Sequence, residues 1–174
     1  MARASSKRQV AAEQRRQAIL DAALEVFSTV GFAAARLEDV AEKAGVAKGT
    51  IYLSFKDKED LFEQMLLNAI QPVVERIGLL AAMPSLPLDE FLKNVFDFFC
   101  THILKTYRRD IIWLVITEGR RFPKIAELYH REVISHGLDL IRKVASRAYE
   151  RGELSSDEYV RYPQLLFAPI ILSL

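Results

Sequence analysis

The sequence predicts an all-α protein with a small N-terminal three-helix bundle and a larger C-terminal helical domain. Apolar residues recur three and four positions apart along most of the chain, which is typical of amphipathic helices. Strand-like alternation bounded by turns is hard to find, and glycines or prolines interrupt the periodic stretches. With 174 residues, of which 51% are hydrophobic and 27% charged, the chain is long enough to form a globular core.

Three helices are predicted in the N-terminal domain, which we place at residues 1–57. They cover residues 8–30, 37–44 and 47–54. Gly31 and Gly45 follow the first two helices, where a glycine commonly ends a helix. The third helix has only about two turns and contains Gly49, although glycine costs a helix roughly 1 kcal/mol relative to alanine. So short a helix with a glycine in its first turn needs an explanation other than helix stability.

The larger domain, residues 58–174, is predicted to contain five helices. They cover residues 58–80, 90–106, 110–119, 123–151 and a last stretch from residue 156. Pro72 lies inside the first and should kink it, either as a hinge or as a static bend. Asp89 is the predicted cap of the second, and the third is expected to be buried because six consecutive residues are apolar. The sequence stops at Leu174 within an apolar run, so we expect further residues beyond it.

The composition excludes several classes of protein. A net charge of +1 gives no overall case for a nucleic-acid partner, so any such case must be local. Cys100 is the single cysteine, which excludes an intrachain disulfide and a cysteine-rich zinc site, and we expect no metal or cofactor. The N-terminal segment is polar and basic, unlike a signal peptide, and the longest apolar tracts are about half a membrane span. We therefore expect a cytoplasmic protein without a membrane partner.

Residues 37–55 have the spacing of a helix-turn-helix. Gly45 allows the left-handed conformation that reverses the chain between two short helices. Ile51 and Phe55 are four residues apart and are predicted to face inward, which leaves the opposite side of the third helix free for contacts. Gly49 removes a side chain from that helix, so that the backbone can come close to a phosphate.

Basic residues surround this segment. From residue 43 to residue 58 there are four lysines and a single acid, Asp57, and the first sixteen residues carry five basic groups and one acid. Lys48, Lys56 and Lys58 lie at the two ends of the third helix and are predicted to neutralise phosphates of DNA, whose major groove accommodates such a helix. The alternative interpretation is a tight helical corner with a solvated lysine face.

The same residues resemble the TetR family of bacterial transcriptional regulators. The matching segments are "AILDAALEVFSTVGF" (18–32), "LEDVAEKAGVAKGTIYLSF" (37–55) and "KDKEDLF" (56–62). A further segment, "TEGRRFPKIAELY" (117–129), looks like one found in an AefR-like branch. The resemblance implies a homodimer whose two N-terminal domains bind successive major grooves of a near-palindromic DNA operator.

The resemblance assigns the DNA contacts to the third helix and its flanks. The residues implied in phosphate or base contacts are Lys48, Thr50, Tyr52 and Lys56, with Gly49 giving close approach. Arg36 and Ala47 stand where the family commonly has threonine or serine. Arg36 can still reach a phosphate, but neither residue is expected to cap its helix in the family's manner.

In the larger domain the resemblance implies a pocket for a small-molecule effector that changes the spacing of the two DNA-binding domains. Aromatic and apolar residues of several helices are the candidate lining and favour an apolar or aromatic molecule. They are Phe96, Phe99, Trp113, Ile116, Tyr129 and Phe167. The candidate polar anchors are His102, Glu118, Arg120 and Arg121. The alternative for each aromatic residue is an ordinary place in the core.

Apolar stripes late in the chain are the candidate dimer surface. The resemblance implies that the final two helices pair across a two-fold axis, and the stripes contain Leu138, Ile141, Ala145, Leu166 and Ile170. Internal packing is the alternative for these residues.

No catalytic constellation is recognisable in the sequence. Glu127 and His130 have the spacing of a di-iron ligand pair, but no second pair accompanies them. The sequence therefore favours a ligand-responsive DNA-binding regulator, a repressor released by its effector, and not an enzyme. The alternative is a helical small-molecule-binding protein or enzyme with a non-functional helix-turn-helix.

Overall fold

The computed structural model describes residues 2–171, with side chains for residues 8–166 and 168, and within that range the regular structure is entirely helical. The α-helices are α1 (Ala2–Ala34), α2 (Leu37–Lys43), α3 (Lys48–Tyr52), α4 (Lys58–Ala81), α5 (Leu88–Phe99), α6 (Arg108–Glu118), α7 (Pro123–Tyr129), α8 (His136–Glu150), α9 (Glu158–Arg161) and α10 (Gln164–Ile171). Two π-helical segments, Cys100–Leu104 and His130–Ser135, extend α5 and join α7 to α8. The predicted all-α fold class is confirmed over this range.

The turn between α2 and α3 has the hydrogen bonds of a Schellman motif. Gly45 has φ +66°, its N–H donates to the Glu42 carbonyl at 3.1 Å, and the Val46 N–H donates to the Ala41 carbonyl at 3.0 Å. Ile51 and Phe55 are both buried, which confirms the predicted inner face. The helix-turn-helix is therefore held by glycine geometry at the turn and by apolar packing beneath it.

The helical geometry of α1 breaks at Gly31. This residue has φ +78° and ψ +159°, a backbone conformation that is essentially restricted to glycine. A Cβ atom at Gly31 would lie 2.6 Å from Oε1 of Glu118, so the end of α6 contacts α1 at the break. The predicted helix end at residue 30 corresponds to this break, after which one further turn of helix follows.

Lys58 anchors the start of α4 to the end of α1. Its Nζ donates hydrogen bonds to the carbonyls of Phe32 (2.8 Å), Ala33 (3.2 Å) and Ala35 (3.1 Å), and it lies 4.7 Å from the centroid of the Phe32 ring. The expectation that Lys58 neutralises a phosphate is therefore wrong. Its charge is used within the fold to satisfy carbonyls that the helix end leaves unpaired.

One hydrophobic cluster joins the N-terminal helices to the larger domain. Phe32 lies at its centre, with ring-centroid distances of 5.5 Å to Phe27, 5.2 Å to Phe62 and 4.9 Å to Phe122. Buried residues of α6, such as Ile111, and of α7 belong to the same cluster. A second cluster packs the end of α4 against α5 and α8. The predicted boundary at residues 57 and 58 coincides with the start of α4, but the core continues across it.

The start of α5 is capped by a residue from the other end of the domain. The backbone N–H of Leu88 donates to Oε2 of Glu153 at 2.8 Å, and Asp89 lies in the first turn without a capping role, so the predicted cap is wrong. Arg151 donates to the Pro84 and Leu86 carbonyls of the preceding loop. The Leu88 N–H and then Arg151 hold the pKa of Glu153 below its usual value.

Helix α6 is buried on one side only, which corrects the prediction that it is buried all round. Ile111, Leu114 and Val115 pack into the first cluster, whereas Trp113 and Ile116 are 48% and 58% exposed. The apolar run therefore contains both a core face and a face that no described residue covers.

Helix α4 continues through Pro72. The predicted helix over 123–151 is a continuous run of α7, the second π-helical segment and α8, while the predicted last helix is divided at Pro163 into α9 and α10. Part of α1, Arg8–Ala34, has the length and composition of a membrane span. Its apolar residues Ile19, Leu20 and Phe27 are buried in the first cluster, which accounts for that composition.

Candidate nucleic-acid interface and ligand cavity

Helix α3 presents one face to solvent and the other to the core. Lys48, Gly49 and Tyr52 are exposed, Thr50 is half-buried, and Ile51 on the opposite side is buried. Leu53 directly follows the helix and is 86% exposed, which makes it the most exposed large apolar residue among those described. Sequence reasoning did not select Leu53. It could have been recognised as an apolar residue that does not share the inward-facing positions of Ile51 and Phe55.

Gly49 has no role in the packing of the described protein. A Cβ atom built at Gly49 meets no described atom within 4 Å, and its backbone is not in the left-handed region. Gly31 and Gly45, in contrast, both have positive φ angles. Neither backbone strain nor crowding thus explains glycine at position 49, although alanine is the better helix former.

Lys48 is paired with a carboxylate of the neighbouring helix. Its Nζ forms an ion pair with Oε1 of Glu38, and it lies 6.0 Å from the centroid of the Tyr52 ring. The hydrogen bond to Lys48 lowers the pKa of Glu38, and the same bond raises the pKa of Lys48, so both are charged at neutral pH. Lys43 is likewise paired with Glu25. Two of the four lysines counted from the sequence, Lys43 and Lys48, are therefore paired with acids of a neighbouring helix.

The remaining predicted DNA contacts, Arg36, Ala47 and Lys56, are exposed. The backbone N–H groups of Arg36 and Lys56 donate to Asp39 (3.2 Å) and Asp60 (2.8 Å). Ala47 is the N-cap residue of α3. Neither Arg36 nor Ala47 forms a capping bond through its side chain, as the sequence predicted.

A small apolar cavity of about 90 Å³ lies inside the larger domain. Its walls come from α4, α5, α6, α7, α8 and both π-helical segments. The lining residues are Ile70, Val73, Val74, Ile77, Val95, Phe99, Ile103, Arg108, Ile111, Ile112, Tyr129, Val133, Gly137 and Leu140. Since π-helical turns occur frequently at functional sites, their presence on two walls marks this cavity.

Arg108 and Tyr129 supply the polar side chains of this wall. Arg108 donates from Nε to the Ala69 carbonyl at 2.8 Å and from Nη1 to the His102 carbonyl at 3.4 Å. No ion pair between described residues includes Arg108, and no hydrogen bond between them includes the Tyr129 hydroxyl. Burial raises the pKa of Tyr129 to about 12, so the hydroxyl is neutral.

An open pocket of about 260 Å³ adjoins the cavity, and we call it the basic vestibule. Its lining residues are Pro72, Val73, Arg76, Phe98, His102 and Arg108. Val73 and Arg108 belong to both linings. Arg108 therefore stands between an apolar interior and an outer pocket whose described lining contains no acid.

The predicted ligand residues divide between this cavity and the surface. Phe99 and Tyr129 line the cavity, while Phe96 is 43% exposed and does not. Trp113 lies in a larger open groove of about 820 Å³ between α1 and α6, and Ile116 lies on the exposed face of α6. The side chain of Phe167 lies outside the described residues.

The predicted dimer residues are partly used within the chain. Ala145 is fully buried and Ile141 nearly so, which leaves them no surface to offer a second copy. Leu138 and Leu166 are half-buried, and the side chain of Ile170 lies outside the described residues. Tyr149 and Leu165 are the exposed apolar neighbours in the same region.

Acidic, histidine and cysteine side chains do not gather into a metal site in the described part of the chain. Over the residues with described side chains, no group of three or more such residues lies close enough together to hold an ion.

The chain is similar to known proteins. The family profile described as bacterial regulatory proteins, tetR family, matches residues 19–65. The HTH-type transcriptional repressor BepR of Brucella suis is 32% identical over 156 residues, covering 84% of this chain and 71% of BepR. The HTH-type transcriptional regulator AcrR of Shigella flexneri is 30% identical over 156 residues, covering 89% of this chain and 64% of AcrR. The chain spans 49–71% of the length of the first curated relatives that it matches.

Solved structures share this fold. FadR of Bacillus subtilis in complex with stearoyl-CoA matches with a TM-score of 0.70 and 22% identity, covering 88% of this chain and 82% of FadR. The complex of SmeT with triclosan matches with a TM-score of 0.73 and 19% identity, covering 91% of this chain and 77% of SmeT. SmeT is described as the repressor of a multidrug efflux pump of Stenotrophomonas maltophilia.

Proposed function

The chain belongs to the TetR family of bacterial regulatory proteins, and from that premise we propose that it is a ligand-responsive, DNA-binding transcriptional regulator. We propose further that it acts as a cytoplasmic homodimer that represses transcription at a near-palindromic operator and is released by an apolar or aromatic effector. It has no catalytic role in this proposal. The observation that carries it is Gly49, an exposed helical glycine that the fold does not need.

The proposed DNA contacts follow from the exposed face of α3. Gly49 lets the backbone approach the major-groove surface, with Lys48 and Tyr52 beside it. Thr50, which is half-buried, is a further proposed contact, and we propose that the exposed Leu53 contacts a thymine methyl group. Arg36 and Lys56 supply phosphate contacts on either side, which position the helix without reading sequence.

Removing the carboxylate that pairs with Lys48 should strengthen DNA binding. In Glu38→Gln, Lys48 no longer has to break its ion pair with Glu38 before it binds a phosphate. The substitution also removes one negative charge that would repel the DNA. We expect the dissociation constant for DNA to fall roughly two- to fivefold at low salt, the range for an exposed ion pair. Fluorescence anisotropy measures the change.

Glu42→Gln is the matched control, because Glu42 is an exposed acid of the same helix with no ion pair among the described residues. A gain of equal size in both variants would mean that general charge, and not the pair with Lys48, sets the effect.

The proposed route from effector to DNA runs through side chains that the cavity and the first cluster share. Ile70, Ile111 and Tyr129 line the cavity and also pack against the cluster that contains α1, α2 and α3. A 150 Å³ cavity holds a molecule of about benzene size, and this cavity has only about 90 Å³. An effector as large as benzene or larger must therefore displace the walls. Such a displacement moves α4 and α6 and, through them, the N-terminal helices.

Homodimer formation is proposed through the late helices, with contacts adjusted to the observed exposure. Tyr149 and Leu165 replace the buried Ile141 and Ala145 as the proposed contact residues, together with Leu138 and Leu166. Two copies would then present two α3 helices to a symmetric site, as a two-fold operator requires.

Selection of binding sites from random DNA duplexes, followed by anisotropy titrations across salt, tests the proposed function. Wild-type protein should select a near-palindromic sequence and bind it with a steep salt dependence. Tyr52→Ala should weaken binding by about tenfold or more, the cost of one lost base or phosphate contact. Tyr107→Ala, a similarly exposed tyrosine on the larger domain, is the control and should bind as wild type.

Absence of a selected sequence, or equal binding by the Tyr52 variant, would contradict the proposal. The protein would then be a helical small-molecule-binding protein whose helix-turn-helix is non-functional, and the apolar cavity would be its working part.

A further inference from the structure

We propose that the ligand of the apolar cavity is an anionic amphiphile, with its hydrocarbon body in the cavity and its acidic head group in the basic vestibule. The inference rests on the proposed ligand-binding role of the larger domain and adds the chemical class of the ligand. A carboxylate and a phosphate head group share the chemistry that this arrangement recognises.

The vestibule provides positive charge without a compensating acid. The charge comes from Arg76 and Arg108, which line it beside His102, and neither arginine forms an ion pair with a described residue. The Nη2 atom of Arg108 makes no hydrogen bond to a described residue, since its bonds use Nε and Nη1. A guanidinium with free donors at the mouth of an apolar cavity is suited to a carboxylate or phosphate, which it binds through charge-assisted hydrogen bonds.

The cavity excludes a ligand that is charged along its length. Its wall is aliphatic or aromatic except at Arg108 and at the Tyr129 hydroxyl, which is neutral and has no partner among the described side chains. Burial of a charge away from Arg108 would lack compensation and be costly. A hydrocarbon body with its one charged group at the mouth satisfies both parts of the site.

Arg108 is held ready for this contact by α4. Pro72 cannot donate to the Asn68 carbonyl as a helical residue would, and Arg108 donates to the adjacent Ala69 carbonyl. The bonds from Nε to Ala69 and from Nη1 to His102 hold the guanidinium where the linings of the cavity and the vestibule meet, and Nη2 makes no hydrogen bond to a described residue. An acid bound by Arg108 would therefore be linked to α6, which carries this side chain, and to α4, to which the side chain is hydrogen-bonded.

Calorimetric titration of the purified protein with octanoate, octan-1-ol and octylamine tests the head-group preference at constant chain length. We expect octanoate to bind about tenfold to a hundredfold more tightly than octanol, as for hydrogen bonds to a charged group, and octylamine to bind more weakly still. Octyl phosphate, compared with octanoate, distinguishes the two acidic head groups. Dodecanoate extends the series to a longer body.

Arg108→Gln should remove the preference for octanoate over octanol, and Arg76→Gln, at an exposed position, should reduce it without affecting the fold. Arg109→Gln is the matched control, because Arg109 is the exposed neighbour on the same helix and lines neither pocket. Equal binding of octanol and octanoate, no binding of any acid in the series, or a loss in the Arg109 variant equal to that in the Arg108 variant would overturn the proposal.

Anisotropy with the selected DNA, measured on the same preparations without ligand, separates this inference from the proposed function. A preference for octanoate in a protein that binds no DNA would leave the ligand class standing and overturn the regulator. DNA binding with no preference for acids would do the reverse.

Discussion

Gly49→Ala should weaken operator binding by about tenfold to a hundredfold, equivalent to the loss of one good contact of 1–3 kcal/mol, while the protein becomes no less stable. The Cβ atom has open space in the free protein and backbone angles that alanine accepts. In the complex it would occupy the space between the α3 backbone and DNA. Anisotropy titration measures the affinity, and urea denaturation should show an unfolding free energy unchanged or raised by up to about 1 kcal/mol.

Gly78→Ala is the control for this substitution. Gly78 lies within α4, and a Cβ atom there also meets no described atom within 4 Å. Gly78→Ala should raise the free energy of unfolding through the higher helix propensity of alanine, without changing the affinity for DNA. If Gly49→Ala bound the operator as tightly as wild type, α3 would not approach DNA through its backbone at this position.

Phe32→Ala should lower the free energy of unfolding by about 3–5 kcal/mol, the usual cost of truncating a buried phenylalanine. The ring contacts three other phenylalanine rings and the Lys58 ammonium, and those groups would border the space it leaves. Because a domain is stable by only about 5–15 kcal/mol, the variant should unfold at a much lower urea concentration. Circular dichroism during urea titration measures the shift.

Phe96→Ala serves as the matched substitution at an exposed phenylalanine of α5. Its effect should be small, since little buried contact is lost. A comparable loss in both variants, or a Phe32 variant as stable as wild type, would mean that the cluster between the N-terminal helices and α7 does not stabilise the protein.

The parts of the fold that depend on neighbouring residues were predictable from the sequence. The turn at Gly45 and the inward positions of Ile51 and Phe55 follow from local spacing, because a helix places residues four apart on one face. The exposed face of α3 follows from the same spacing. Gly49 could be recognised as unusual because the free-energy cost of a glycine within a helix, relative to alanine, does not depend on distant parts of the chain.

Contacts between distant residues were not predictable in this way. Glu153 caps α5 from 65 positions away, and Glu38 pairs with Lys48 across the helix-turn-helix. Because the pair with Glu38 is not visible in the sequence, counting lysines overestimated the free positive charge. For the same reason Asp89, and not the distant Glu153, was predicted to cap α5. Arg108 was missed for a related reason, since its significance depends on a cavity that helices distant in the sequence enclose and not on the residues beside it.

The small volume of the apolar cavity has a consequence for how fast a ligand binds. Since a 150 Å³ cavity holds about one benzene, a ligand of that size or larger enters this 90 Å³ cavity only after the surrounding helices separate. Its binding is then limited by the fraction of time that the protein spends open. The apparent affinity is reduced by that same fraction. At high ligand concentration the observed association rate should level off at the opening rate instead of rising in proportion to concentration. In the proposed regulator, the response to a sudden dose of ligand would then be delayed by a time that the protein itself sets.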